Sequence, residues 1–431
     1  MNLKTKDETD LKKDLFKKIT NNAYSFSVLT KVLSVLIGFV YTVVYTRYLG
    51  KELRGTASVI NNYVELATLF LCLGMHQAYP YFKKKTGVGP YHEYINNILA
   101  AVLVYGAAAV GSLFFLRNNT SACVVAVLIP ASIAVRELNY VVMIENPKVR
   151  NATQIGLEVF DILFLVVLFL LTKANYFYCI LFLLVRGAAS FVLAIQNLRV
   201  PLKTLRPTLH GIGKYIAYGF VPMLTLILME INYKVDILML EWMGITKADI
   251  GIYSLGVMLG QKLWLISDAL RDILTSKLAG GRTKEEVCRI TRLSLWVTFA
   301  FVLGMAIFGK PLIGFVYGAE FNDAYMVFLN ISLGVLGMVF YKMIYAFNVV
   351  NGHKSVNFAL LFVAAVINVV LNYFFILRWS INGAAIASTV SYTVCGVSFL
   401  IYFVCKTKTS PRDLLLVKKQ DVTDLIHFIR K

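Results

Sequence analysis

The chain is a succession of apolar runs, each about 20 residues or longer, separated by short polar segments. A helix rises 1.5 Å per residue, so one such run crosses the roughly 30 Å of hydrocarbon in a bilayer. Hydrocarbon offers backbone amides no water, so a segment inside it must satisfy its own hydrogen bonds, and a single run does this as an α-helix. Twelve runs meet the length: 23–46, 57–79, 92–116, 121–144, 152–172, 176–198, 212–242, 247–277, 287–309, 323–350, 355–377 and 381–405. Hydrophobic residues make up 58% of the chain, above the roughly 45–50% of soluble domains, which excludes an ordinary soluble enzyme. The expected fold class is all-α, a polytopic membrane protein of twelve transmembrane helices.

The formal net charge is +19, but its distribution argues against a nucleic-acid partner. Basic residues crowd the tail 1–21, Lys83 to Lys85, Lys148 and Arg150, and the segments 199–214, 271–292 and 406–431. The alternate connections carry few, among them Arg117, Lys173, Lys247, Lys310 and Arg378. This asymmetry puts both termini in the cytoplasm and requires an even number of spans. The first outer connection is an exception, with Arg47, Lys51 and Arg54. The polar N-terminus lacks the pattern of a cleavable signal peptide. The basic tail after Pro411 mixes apolar and basic residues and reads as an amphipathic helix on membrane lipid.

Signatures of chemistry are missing from the sequence. There is no GxxxxGK[ST], HExxH or GxSxG pattern, and the outer connections are too short for a catalytic domain, so the chain is expected not to be an enzyme. Six cysteines and five histidines show no zinc spacing, which implies neither disulfides nor metal.

The chain also resembles itself. Gly50 to Glu65 (GKELRGTASVINNYVE) matches Gly244 to Gln261 (GITKADIGIYSLGVMLGQ), and residues 136–151 align without a gap on 342–357. Arg136 then falls on Lys342 and Asn151 on Asn357. This predicts a tail 1–21, a half of six helices over 22–198, a linker 199–211, a second half over 212–405 and a tail 406–431. A substrate site is expected between the halves, with the two repeated stretches facing each other across it.

Ionisable residues inside the spans mark functional interiors by default, because each costs roughly 2.5–3.5 kcal/mol at the bilayer centre. Glu230 and Lys234 stand four apart, acid first, and are expected to pair on one helix. Asp236 points about 200° away from Lys234. Asp268 is near enough to Arg271 to be interfacial. Lys31, Arg136, Arg186, Lys262 and Lys342 have no carboxylate three or four residues away on their own helix. They must pair across helices, line water or meet an anionic ligand, and a phosphate suits them best. Pro222 and Gly219 mark a bend in the long seventh span.

Four stretches carry a family likeness. TRYLGKELRGTASVINNYVELATLFLCLGMHQAYPYF (46–82), YKVDILMLEWMGITKADIGIYSLG (233–256), PLIGFVYGAEF (311–321) and NVVLNYFFILRWSINGAAIAS (368–388) resemble the helix junctions of polysaccharide and O-antigen flippases. These belong to the multidrug/oligosaccharidyl-lipid/polysaccharide (MOP) exporter superfamily. The resemblance implies twelve helices in two six-helix lobes around a central cavity in the bacterial plasma membrane. It implies alternating-access transfer of an undecaprenyl-pyrophosphate-linked oligosaccharide from the inner to the outer leaflet, for surface polysaccharide. Lipid-linked oligosaccharide and membrane lipids are the implied partners, with other polysaccharide-assembly proteins as further candidates. The alternatives are a multidrug or toxin exporter of the same superfamily, and a membrane enzyme or scaffold of glycan assembly.

The family's pyrophosphate cations match Lys31, Arg47 and Lys262, with Arg136, Arg186 and Lys342 as further candidates. On the second helix Glu65 stands where a cation is expected, which departs from the lipid II branch. No cofactor is implied beyond coupling to Na+ or H+. In relatives that bind sodium between helices seven, eleven and twelve, the matching positions are Asp236, Asn368 and Asn372, with Ser388 or Thr389 supplying the last oxygen. Thr389 is the assigned position.

Overall fold

The computed structural model describes residues 23–86, 91–173, 176–198, 200–279, 281, 284–416 and 418. At 23–29, 31, 32, 176–182, 202, 276 and 279 the description covers the backbone only. The tail 1–21, most of the C-terminal tail and the Lys31 side chain therefore lie outside the described residues.

The long apolar runs fold as helices throughout, with no strand among the described residues. In order they are α1 (Ala23–Leu71), α2 (Met75–Thr86), α3 (Tyr91–Leu116), α4 (Thr120–Glu145), α5 (Pro147–Leu171), α6 (Tyr176–Asn197), α7 (Ile212–Trp242), α8 (Lys247–Lys262), α9 (Trp264–Ala279), α10 (Lys284–Tyr317), α11 (Ala324–Val350), α12 (Lys354–Thr407) and the short α13 (Pro411–Leu415). Nine helical stretches among the described residues are long and apolar enough to cross a membrane. Gly50 and Ser380 break α1 and α12 internally, and α6 adds a further helix. Twelve spans are consistent with this arrangement. Large apolar side chains face outward, as on Phe115, Phe315 and Leu171. Such a surface suits lipid rather than water.

The sequence places a polar connection between the first two spans, but the chain stays helical on both sides of Gly50, whose φ of 66° a glycine adopts without steric cost. Arg47, Lys51 and Arg54 are therefore helical residues rather than loop charges, and Arg54 is buried. That explains why they break the charge asymmetry.

Contacts divide the chain into two compact units. The first takes 1–49 and 67–221. Its core is Met75, Ala78, Tyr79, Tyr94, Ile95, Leu138, Val141, Ala194 and Tyr215 with their neighbours. Asn146 closes α4 and caps α5 by accepting from the Val149 N–H, with Pro147 opening the helix. Between α1 and α2 the backbone turns at Leu73 and Gly74, both with positive φ. Tyr105 donates to the Leu71 carbonyl at 2.9 Å where the helix ends.

The second unit takes 50–66 and 222–431. Its central helix is α11, buried on most of its faces and packed on α8, α9, α10 and α12. Small residues make this possible: a methyl at Gly396 would strike the Gly337 carbonyl, so α11 and α12 touch backbone to backbone. The repeated stretches behave in the same way. A methyl at Gly55 would strike the Lys247 carbonyl, and one at Gly251 would strike the Lys51 carbonyl. This reciprocal contact corrects the expectation that the stretches face each other across a cavity. With no side chains at Gly55 and Gly251 the two backbones close directly on one another. The C-terminal α13 folds back on α10: Leu414 is fully buried, Arg292 donates to the Asp413 carbonyl, and the Trp296 indole donates to the Leu415 carbonyl at 2.9 Å.

Candidate functional site

Asp236 on α7 lies inside the second unit, 1% exposed. A carboxylate this far from water needs donors, and three reach it. The Ile237 N–H donates to Oδ1 at 2.8 Å. The Tyr253 hydroxyl on α8 donates to Oδ2, and Ser388 on α12 donates to the same oxygen at 3.2 Å. Asn368 and Asn372, one turn apart on α12, continue the network. Asn368 Nδ2 donates to Ser388 Oγ at 3.5 Å. Asn372 Nδ2 donates to the side-chain and backbone carbonyls of Asn368, both at 2.9 Å. One oxygen is left over: Asn372 Oδ1 is buried without a hydrogen-bond partner.

Asp236, Asn368 and Asn372 are thus brought together. Thr389 is not, because its hydroxyl donates to the Asn330 carbonyl of α11. Consecutive residues of a helix point about 100° apart, so only one of the two can face α7, and it is Ser388. The donor set is one carboxylate, amide carbonyls and hydroxyls. Oxygen-only sets suit hard cations rather than soft transition metals, and the single negative charge balances one monovalent cation or one proton. The orphaned Asn372 oxygen fits this use.

The head-group candidates divide by environment. Lys342 on α11 is buried, with Nζ 2.7 Å from Asp268 Oδ1 of α9 and 4.9 Å from the centre of the Trp264 ring. Asp268 also pairs with Arg271 at 3.0 Å. Arg186 of α6 has Nε 2.9 Å from Asp161 Oδ2 of α5, whose side chain is 6% exposed. Both cations thus lean on an acid from a neighbouring helix. Lys234 and Glu230 pair as expected at 2.9 Å, and Glu65 of α1 joins Lys234 as a second carboxylate. Arg136 is half-buried, and Arg47 and Lys262 are exposed. Lys262 lies near the middle of the apolar stretch Lys247–Thr275, at the last residue of α8, where the carbonyl end of a helix favours a cation.

Several residues escaped the sequence reading. Tyr253 completes the Asp236 cluster; its one signal is a phenol in an apolar helix, whose hydroxyl needs a partner once buried. Arg54 looks like a loop charge because helix continuity through Gly50 is not visible in composition. Cys72, His76 and Glu137 come together in the first unit, although nothing in their spacing announces it.

The chain is a multi-pass membrane protein, helical and without strands among the described residues, with a buried oxygen-rich cluster in one of its units. No protein-family model and no curated protein matches it. Solved structures do. The lipid II flippase MurJ, in an inward closed conformation, matches with a TM-score of 0.73 at 16% identity over 95% of this chain and 93% of that one. A multidrug resistance MATE family transporter of the MOP superfamily, inward-facing, matches at 0.64 and 13% identity over 88% and 96%. A point mutant of the MATE transporter VcmN of Vibrio cholerae matches at 0.56 and 11% identity over 92% and 99%. At such identities the likeness is one of fold: the chain has the fold of MOP superfamily transporters.

Proposed function

We propose that this protein is a transporter, not an enzyme, that flips an undecaprenyl-pyrophosphate-linked oligosaccharide from the inner to the outer leaflet of a bacterial plasma membrane by alternating access. The observation that carries this reading is the fold likeness to a lipid II flippase over 95% of the chain, in a chain that keeps several cations within its apolar spans. Lys262 and Arg47, exposed and basic, are the first ligands for the pyrophosphate. Arg136, Arg186, Lys342 and Lys31 are the further ones, and Arg186 and Lys342 would exchange an acid for a phosphate oxygen. Charge-assisted bonds of this kind are the strongest a side chain offers such a head group.

The Asp236 cluster is the coupling site in this reading. A sodium ion would sit among Asp236, Asn368, Asn372 and Ser388, or a proton would settle on Asp236. Either neutralises a buried charge, so occupancy favours a closed arrangement of α7, α8 and α12. Glu65 joins Glu230 on Lys234 and adds negative charge where the lipid II branch is expected to have a cation, so the proposed sugar differs from that of lipid II.

Reconstitution tests the reading. Purified protein in liposomes should translocate a fluorescent undecaprenyl-pyrophosphate oligosaccharide, with at least a tenfold loss in Lys262→Glu, about 1.4 kcal/mol. A sodium or pH gradient should raise the rate in the native protein and not in Asp236→Asn. Export of cationic dyes without movement of the lipid-linked sugar would establish the multidrug exporter instead.

A further inference from the structure

The first unit holds a buried cluster whose donor atoms differ in kind from those around Asp236. Helix α1 ends at Leu71, and Cys72 opens the turn that follows. The Cys72 carbonyl accepts from the Met75 N–H at 3.0 Å, while positive φ at Leu73 (48°) and Gly74 (73°) bends the backbone into α2. A leucine in that region is uncommon, because its Cβ crowds the neighbouring carbonyl. The turn brings Cys72, and His76 in the first turn of α2, against Glu137 of α4. His76 Nδ1 is 3.0 Å from Glu137 Oε1, and one ligand atom from each of the three residues lies within 4.8 Å of the other two. Cys72 is 2% exposed, His76 3% and Glu137 1%. Among the described residues no other three histidine, cysteine or acidic side chains gather in this way.

The surroundings hold these groups in place. Tyr94 of α3, fully buried, donates its hydroxyl to Glu137 Oε2, which leaves Oε1 turned to the imidazole. The Tyr140 ring stands edge-on to the imidazole at 5.3 Å. Met75, Tyr79, Leu138 and Val141 belong to the apolar core of the same unit. A hydrogen-bonded carboxylate in an apolar wall is how proteins orient a metal ligand.

We propose that Cys72, His76 and Glu137 form a zinc site, independent of the Asp236 cluster. A thiolate, an imidazole and a carboxylate are the mixed donors that zinc takes, whereas the oxygen-only set around Asp236 suits a hard cation. Donors about 2.0–2.3 Å from one zinc stand roughly 3.3–3.6 Å apart in a tetrahedron. The His76–Glu137 separation is already close to that, and the thiol has to close by little more than roughly 1 Å. The ion takes the place of the His76–Glu137 hydrogen bond. The imidazole keeps its proton on Nε2, and the thiol proton leaves to water, one for each ion bound. Thiolate and carboxylate together cancel the two charges of the ion, so the loaded site is neutral, as burial demands. The fourth position of the tetrahedron falls to a water. One ion then joins the turn after α1 to α4, and its binding energy stabilises the first unit.

The test counts metal in full-length protein purified, without a polyhistidine tag, from cells grown with zinc. Elemental analysis should give about one zinc per chain, unchanged in Asp236→Asn and reduced at least about tenfold in Cys72→Ser and in His76→Gln. Growth with cobalt in place of zinc should add a thiolate-to-metal absorption band that Cys72→Ser lacks. Should the variants fail to fold, X-ray absorption at the zinc edge of the native protein reads the ligands directly: one sulfur at about 2.3 Å beside nitrogen and oxygen at about 2.0–2.2 Å. Zinc no higher than background, a zinc content indifferent to Cys72 and His76, or a ligand shell without sulfur overturns the proposal. The readout is the bound ion, so its failure is distinct from a failure of sugar translocation.

Discussion

Glycines without a side-chain neighbour and glycines against a carbonyl make opposite demands. A methyl at Gly55 meets the Lys247 carbonyl, and that backbone atom has nowhere to go. Gly55→Ala should lower stability by about 1–3 kcal/mol, read as a lower melting temperature in detergent, whereas Gly106→Ala or Gly111→Ala, with open space around them, should leave stability equal or raise it by up to about 1 kcal/mol. Ser380 sits in α12 with φ 50° and ψ −131°, a region costly for any residue with a Cβ. Ser380→Gly should therefore raise the melting temperature, by the equivalent of about 1 kcal/mol. Lys342 and Asp268 are not equivalent partners. Asp268 keeps Arg271 if Lys342 is lost, but Lys342, with its side chain 7% exposed, forms no ion pair with a second carboxylate among the described residues. Asp268→Asn should cost on the order of 3 kcal/mol and Lys342→Met clearly less, which chemical-denaturation curves of the two variants can compare.

At the scale of elements, the helices were legible because hydrocarbon length and the closure of backbone hydrogen bonds leave little choice. Their interruptions were not. Gly50, Leu73–Gly74, Leu263 and Ser380 break or turn helices, yet most glycines of this chain do not. Which one does depends on what packs opposite it. Pairing was legible only inside one helix: Glu230 and Lys234 are a spacing, while Arg186 with Asp161 and Lys342 with Asp268 are meetings of separate helices. The short α13 is held mainly by Leu414 in the core and by Arg292 and Trp296 of α10. Trp296→Ala should loosen it, seen as faster hydrogen exchange of the amides over 412–416 and little change elsewhere.

For the whole molecule, the charge asymmetry predicts that both termini are cytoplasmic. Cys405, exposed near the end of α12, provides a test. In a variant with the other cysteines replaced by serine, a membrane-impermeant maleimide should label it in inside-out vesicles and not in intact cells.

Apolar run length and charge placement determined that this is an all-α membrane protein of about twelve spans, because transfer free energy acts on each segment separately. The same sequence offered Asp236, Asn368 and Asn372 as a cluster through resemblance. That Ser388 rather than Thr389 completes it, that Tyr253 holds the carboxylate, and that His76 meets Glu137 were decided by the tertiary structure alone. The rotation of one packed helix against another selects which of two neighbouring side chains faces inward. That rotation is set by close contacts such as Gly55 on Lys247 and Gly396 on Gly337, which no single segment contains.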